Sequence, residues 1–159
     1  MHVWLRLMDV ARLAPWVIGA VFSVTVLGAG VASADGPVQL RNGAGDFCLD
    51  QPDNSIYPPM AINPCNGSMS QRWNVLGNGQ IQSAAYPGMC LGLEERDMWA
   101  RYLGCANPGD EIWIIQPNGQ IRQPLSGCLT PVGDLNPGTW VSTRPCNGGA
   151  PEQQWQMVP

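Results

Sequence analysis

Pro64-Cys65-Asn66-Gly67-Ser68-Met69-Ser70-Gln71-Arg72-Trp73 is echoed near the end of the chain by Pro145-Cys146-Asn147-Gly148, running on to Gln153-Gln154-Trp155. Each stretch carries Pro-Cys-Asn-Gly ahead of Gln-x-Trp. Upstream of each lies a Cys-Leu dipeptide, Cys48-Leu49 and Cys128-Leu129, and a third copy sits between them as Cys90-Leu91, Cys105 and Glu111-Ile112-Trp113. A Cys-Leu dipeptide, a second cysteine and then a tryptophan therefore recur three times in the same order and at nearly constant spacing. Self-similarity at a fixed period, here roughly 40 residues, decides architecture before any local element is assigned.

The segments between cysteines are short, rich in glycine and proline, and never helical in period. Trp73-Asn74-Val75 leads through Asn78-Gly79 into Gln80-Ile81-Gln82, and Trp113-Ile114-Ile115 leads through Asn118-Gly119 into Gln120-Ile121-Arg122. Asn-Gly between apolar strands predicts a hairpin with a type I′ turn, in which both residues take positive φ. One repeat thus ends in a strand and the next begins at once, with repeats at about 36–77, 78–117 and 118–159. Units of this size cannot bury a core alone. Three of them must close on one another, as a closed barrel does while removing exposed strand edges. The expectation is compact, threefold and all-β; composition alone leaves a trefoil and a three-bladed array both open.

The ends and the charges bound the function. Arg6 and Arg12, an uncharged run from Leu13 to Val31 and Ala32-Ser33-Ala34 have the order of a secretory signal peptide cleaved after Ala34. An uncleaved anchor is the alternative, since the run is about long enough to span a bilayer. The remaining residues 35–159 hold six arginines and eleven carboxylates; the chain has no lysine, and its one histidine is His2. An acidic domain without a basic run is a poor partner for nucleic acid, where phosphate neutralisation dominates affinity, or for anionic membranes. All six cysteines fall after the leader, which in an exported chain reads as a disulfide framework. If each repeat is one structural unit, the pairs are Cys48–Cys65, Cys90–Cys105 and Cys128–Cys146.

Cys-Leu-x, Pro-Cys-Asn-Gly and Gln-x-Trp, in register with the repeat, together resemble the ricin-type lectins. The likeness covers essentially all of residues 35–159. Length and leader resemble the small secreted ricin-type lectins of mycobacteria and their relatives. The resemblance implies a β-trefoil, with Trp73, Trp113 and Trp155 in the core and the motif glutamines bonded to backbone. Glu111, replacing glutamine in the second repeat, is expected to accept similar bonds, though a carboxylate cannot donate.

Gln-x-Trp certifies the scaffold, not binding, because function lives in sites grafted onto folds. The resemblance implies sugar sites built within one repeat: a carboxylate two residues after the first cysteine, an aromatic two before the second, and an Asn just before Gln-x-Trp. The first repeat has Asp50, Asn63 and Ser70 at these positions, the second Gly92, Leu103 and Asp110, and the third Thr130, Arg144 and Glu152, with Asp134 nearby. None is complete. The candidate carbohydrate-binding residues are Asp50, Asn63, Asn66, Ser70 and Gln71, with Tyr57 replacing the missing ring. Trp99 and Trp140, each six residues before a second cysteine, are either partly buried wall or an exposed stacking surface. Glu94-Glu95-Arg96-Asp97 is expected to be a solvated loop.

Catalysis is disfavoured. Without histidine or lysine after the leader, Ser-His and Cys-His nucleophile systems cannot be built, and paired cysteines exclude the usual zinc sites. No cofactor or metal is expected. The favoured function is an extracellular lectin that binds glycans, galactose-type or other, without catalysis, self-associating for avidity if its single sites are weak. The competing function is a disulfide-stapled trefoil that binds protein and has no working sugar site.

Overall fold

The computed structural model describes residues 36–159 apart from 52, 54, 56, 57, 107, 108 and 110. The leader, Tyr57 and Asp110 lie outside the described residues. Each repeat supplies four strands. The first has β1 (Val38–Asn42), β2 (Phe47–Asp50), β3 (Ala61–Pro64) and β4 (Arg72–Val75), with a one-turn 3-10 helix, Met69–Gln71, ahead of β4. The second has β5 (Ile81–Ser83), β6 (Met89–Leu93), β7 (Ala100–Gly104) and β8 (Ile114–Ile115). The third has β9 (Ile121–Gln123), β10 (Gly127–Pro131), β11 (Thr139–Arg144) and β12 (Trp155–Val158), again with a 3-10 turn, Pro151–Gln153, before its last strand.

The outer strands of each repeat form a six-membered ring. β1 pairs with β4, β4 with β5, and β8 with β9. The backbone bond from Trp113 N–H to Gly79 C=O at 2.8 Å links β5 to β8, the Gln120–Gln154 bridge links β9 to β12, and β12 pairs with β1 to close the circle. The inner strands form three hairpins, β2–β3, β6–β7 and β10–β11. They meet through Val141 N–H to Met60 C=O at 2.9 Å and Met60 N–H to Ala100 C=O at 2.8 Å. A closed barrel with three hairpins joined in turn is the β-trefoil that the resemblance implied. Closure leaves the outer strands without the open edge that a flat sheet carries.

The repeated residues now have reasons. Trp73, Trp113 and Trp155 are buried in the core with Leu40, Ile62 and Tyr102. Each indole N–H donates to the carbonyl of the leucine in its own repeat's Cys-Leu pair: Leu49 at 3.2 Å, Leu91 at 2.8 Å and Leu129 at 3.0 Å. A buried indole needs one such partner, so the dipeptide and the tryptophan are two ends of one contact. The three disulfides join Cys48–Cys65, Cys90–Cys105 and Cys128–Cys146 at the open ends of the hairpins. Loops of this length contribute about 3 kcal/mol each in the chain-entropy picture.

The hairpins at Asn78-Gly79 and Asn118-Gly119 are present, but their turn is not type I′. Gly79 and Gly119 take φ of +90° and +87°, whereas the sole non-glycine with positive φ among the described residues is Met98. Gly79 N–H bonds to Leu76 C=O at 3.0 Å and Leu76 N–H to Gln80 C=O at 2.9 Å, with the same pair between Gln116 and Gly119 or Gln120. This is the three-residue loop in which a turn is followed by a left-handed glycine. The asparagine stays at negative φ because its Oδ1 accepts the N–H two residues on, from Gln80 at 3.0 Å and from Gln120 at 3.1 Å.

Candidate functional site

The first hairpin places a carboxylate in an unusual position. Asp50 ends β2, opposite Ala61 on β3, and is 5% exposed. Its Oδ2 accepts from Asn63 Nδ2 at 3.0 Å and from Gln71 Nε2 at 3.2 Å. Its Oδ1 is buried with no hydrogen-bond partner among the described residues. Buried polar atoms are satisfied in the great majority of cases, and each exception calls for a cause.

The remaining predicted residues take separate stations. Gln71 is the hub: its Nε2 also donates to Pro64 C=O at 3.0 Å, and its Oε1 accepts from Asn66 N–H at 2.9 Å and from Gln39 Nε2 at 3.1 Å. The Asn66 side chain is exposed and committed to a turn, accepting Ser68 N–H at 2.9 Å. Ser70 shares a 2.9 Å hydroxyl contact with Ser68, and its carbonyl accepts Gln51 N–H at 3.3 Å. So Asp50, Asn63 and Gln71 are brought together, while Asn66 reaches Gln71 by its backbone N–H and Ser70 contacts Ser68 and Gln51 instead. Gln51, fully buried, holds the following loop by donating to Ser55 C=O at 2.9 Å.

The equivalent positions elsewhere are closed. A Cβ on Gly92 would lie 2.4 Å from Leu103 Cδ1, so the Leu103 side chain occupies the space that the Asp50 carboxyl occupies in the first repeat. In the third repeat Thr130 turns its hydroxyl back to Cys128 C=O at 2.7 Å, Arg144 is exposed, and Asp134 contributes a backbone carbonyl to Thr139. Among the described residues no group of three His, Cys, Asp or Glu side chains is placed to hold a metal ion.

Sequence reading missed one threefold element. Gln39, Gln80 and Gln120, each at the start of a repeat, donate to the motif residue: Gln71 at 3.1 Å, Glu111 at 3.0 Å and Gln153 at 3.1 Å. Glu111 therefore accepts as expected. Gln80 Nε2 also reaches Cys105 C=O at 2.8 Å, as Gln120 Nε2 reaches Asn147 C=O at 3.0 Å. The signal was a glutamine before an aliphatic residue at the head of each repeat, outside the cysteine–tryptophan frame. The Glu94–Asp97 stretch is exposed at Glu95, Arg96 and Asp97 yet ordered as a turn, with Met98 N–H on Glu94 C=O at 2.8 Å and Asp97 paired to buried Arg101 at 2.6 Å. Burial opposes ionisation of Asp97, but the bonds from Trp99 N–H and Arg101 and the guanidinium charge hold its carboxyl below the ordinary value.

The profile of the ricin-type beta-trefoil lectin domain matches residues 36–155. The chain belongs to that family. An uncharacterized protein of Mycobacterium tuberculosis is 51% identical over 143 residues, 90% of each chain. The hemolytic lectin CEL-III superposes with a TM-score of 0.64 at 27% identity, over 77% of this chain and 31% of its own. The C-half of an earthworm R-type lectin, solved in complex with GalNAc, does so with 0.64 at 14% identity, over 77% and 98%. The family resemblance of the sequence and the trefoil of the structure thus agree.

Proposed function

We propose that this ricin-type domain is an exported, non-catalytic glycan-binding protein whose working site is built on Asp50 in the first hairpin. The observation that carries this is the buried Oδ1 without a donor among the described residues. Asn63 and Gln71 already hold the other oxygen, so the carboxylate is oriented before any ligand arrives, and a sugar hydroxyl that displaces what covers Oδ1 is such a donor. The second repeat acts as scaffold because Leu103 fills its site, and the third has Thr130 where the first has its carboxylate. Galactose-type sugars are the first class to test, since the earthworm relative was solved with GalNAc. Export is supported by the leader order of residues 1–34 and by three disulfides, which persist in oxidising compartments.

The test is a glycan array probed with the full chain produced through an oxidising export route, beside Asp50→Asn. Asparagine keeps the shape and removes the charge, so binding should weaken about 10- to 100-fold, the scale of a hydrogen bond to a charged group. A multimerised form guards against weak single sites. A blank array from folded, disulfide-bonded protein would instead favour a protein-binding trefoil.

A further inference from the structure

The hairpin register carries the first-repeat site across a repeat boundary. Asp50 on β2 lies opposite Ala61 on β3, and Ala61 lies opposite Trp140 on β11 of the third repeat. Residues directly opposite one another in antiparallel strands project from the same face. The alternate positions Leu49 and Ile62 are fully buried in the core, which turns Asp50 and Ala61 to the opposite face, where they are 5% and 9% exposed beside the open Trp140. Asn63, two residues along from Ala61, shares that face and bonds Asp50. A carboxylate, a methyl group and an indole therefore stand in one row. Trp140 is 44% exposed, whereas Trp73, Trp113 and Trp155 are buried.

A second contact fixes the indole. Trp99 bridges to Ser142, two residues beyond Trp140 and on the same face. The two tryptophan rings meet edge to face with centroids 5.4 Å apart. The backbone that carries Trp99 is itself anchored: its main-chain N–H donates to Asp97 Oδ1 at 3.1 Å, and the Ser142 hydroxyl donates to the preceding Met98 C=O. An exposed indole held against a partner at its edge is a rigid apolar surface rather than a free rotor.

The position six residues before the second cysteine is thus the one a repeat lends to its neighbour. It is Trp140 beside the Asp50 row and Trp99 beside the Thr130–Ser142 row. In the third repeat, however, Thr130 and Ser142 have bonded their hydroxyls within the protein. Of these two rows, the Asp50 row alone joins an acceptor without a donor among the described residues to a lent tryptophan.

We infer that Trp140 is the stacking platform of the Asp50 site, which makes the site composite between the first and third repeats and selective for saccharides of two or more rings. This rests on the lectin function proposed above. Two strand spacings separate Asp50 from Trp140, about 10 Å, which is wider than one pyranose. Ala61 is the low floor between them. One ring gives hydroxyls to Asp50 and Asn63, and the next lays its apolar face on the indole.

The experiment is the same array, printed with mono-, di- and tetrasaccharides and probed with the full chain, Asp50→Asn, Trp140→Ala and Trp140→Phe. Trp140→Ala should weaken di- and tetrasaccharide binding by up to about tenfold and bring it down to the monosaccharide level, with Trp140→Phe recovering most of the loss. Near-ultraviolet circular dichroism checks that both variants remain folded. If Asp50→Asn abolishes binding while Trp140→Ala leaves the disaccharide preference intact, the composite site is wrong and the Asp50 lectin stands. Binding insensitive to both substitutions, or a blank array, overturns the site and the platform together.

Discussion

Side chain by side chain, the protein uses its polar groups to join backbone to core. Each motif tryptophan is tied to the carbonyl of a leucine far upstream in its own repeat, and each motif glutamine or glutamate receives an amide from the start of that repeat. Tyr102 shows what this interior does to a titratable group. It packs against Trp73 and Tyr86 and shares a 2.9 Å contact with the Ser83 hydroxyl. Burial, opposed by the Ser83 bond and reinforced by the charges of Tyr86, Asp50 and Asp53, pushes its phenol up to about 12 from an ordinary 10.0. A raised phenol pKa means the folded state holds its proton more tightly than the unfolded one. The corresponding stability is complete below the ordinary phenol value and is lost as pH rises through the raised one. Titration of phenolate absorbance should therefore show one tyrosine ionising late, together with the alkaline unfolding transition. Tyr102→Phe should remove that late step.

As elements, the three hairpins share a backbone plan and differ in what they carry. Asp50 and Asn63 in the first correspond to Gly92 and Leu103 in the second, which lie in the same places relative to the cysteines and likewise sit on paired strands. Gly92→Asp alone should destabilise by about 1–3 kcal/mol, since its side chain must enter volume held by Leu103. The double variant Gly92→Asp with Leu103→Asn should recover much of that loss, a coupling that urea midpoints of the two singles and the double would measure. This correspondence was legible in the sequence because cysteines mark the strand register. The turn between repeats was legible only in part. Asn-Gly identifies a hairpin, but a side-chain bond from Asn78 or Asn118 to the backbone ahead selects the three-residue form. The pairing of Trp140 with Ala61 was not legible at all. It joins distant residues of different repeats, and no local pattern encodes which hairpin lies beside which.

For the domain taken together, threefold closure explains why the fold tolerates unequal repeats. The disulfides staple each hairpin within its own repeat and none joins one repeat to another. Cohesion between repeats comes from the shared core and the strand ring. A repeat can therefore carry a different residue at the Asp50 position, as the second does with Gly92, without weakening the frame, provided its tryptophan and core residues stay. Sequence repetition foretold this symmetry. It could not foretell that Trp140 of the third repeat stands beside Ala61 of the first, because that depends on contacts between hairpins.

The pairing of β1 with β12 sets Gln39 beside Val158, so head and tail of the domain are neighbours in space. A gene rearranged to join them through a short glycine-serine tether and to open between Pro124 and Leu125, where Leu125 is 95% exposed, should yield a protein of the same shape. Its new termini would lie away from Asp50 in the chain, leaving the first hairpin uncut. Matching circular dichroism and unchanged array specificity would show that the order of the repeats is a matter of ancestry, and that their arrangement around the ring is what the chemistry requires.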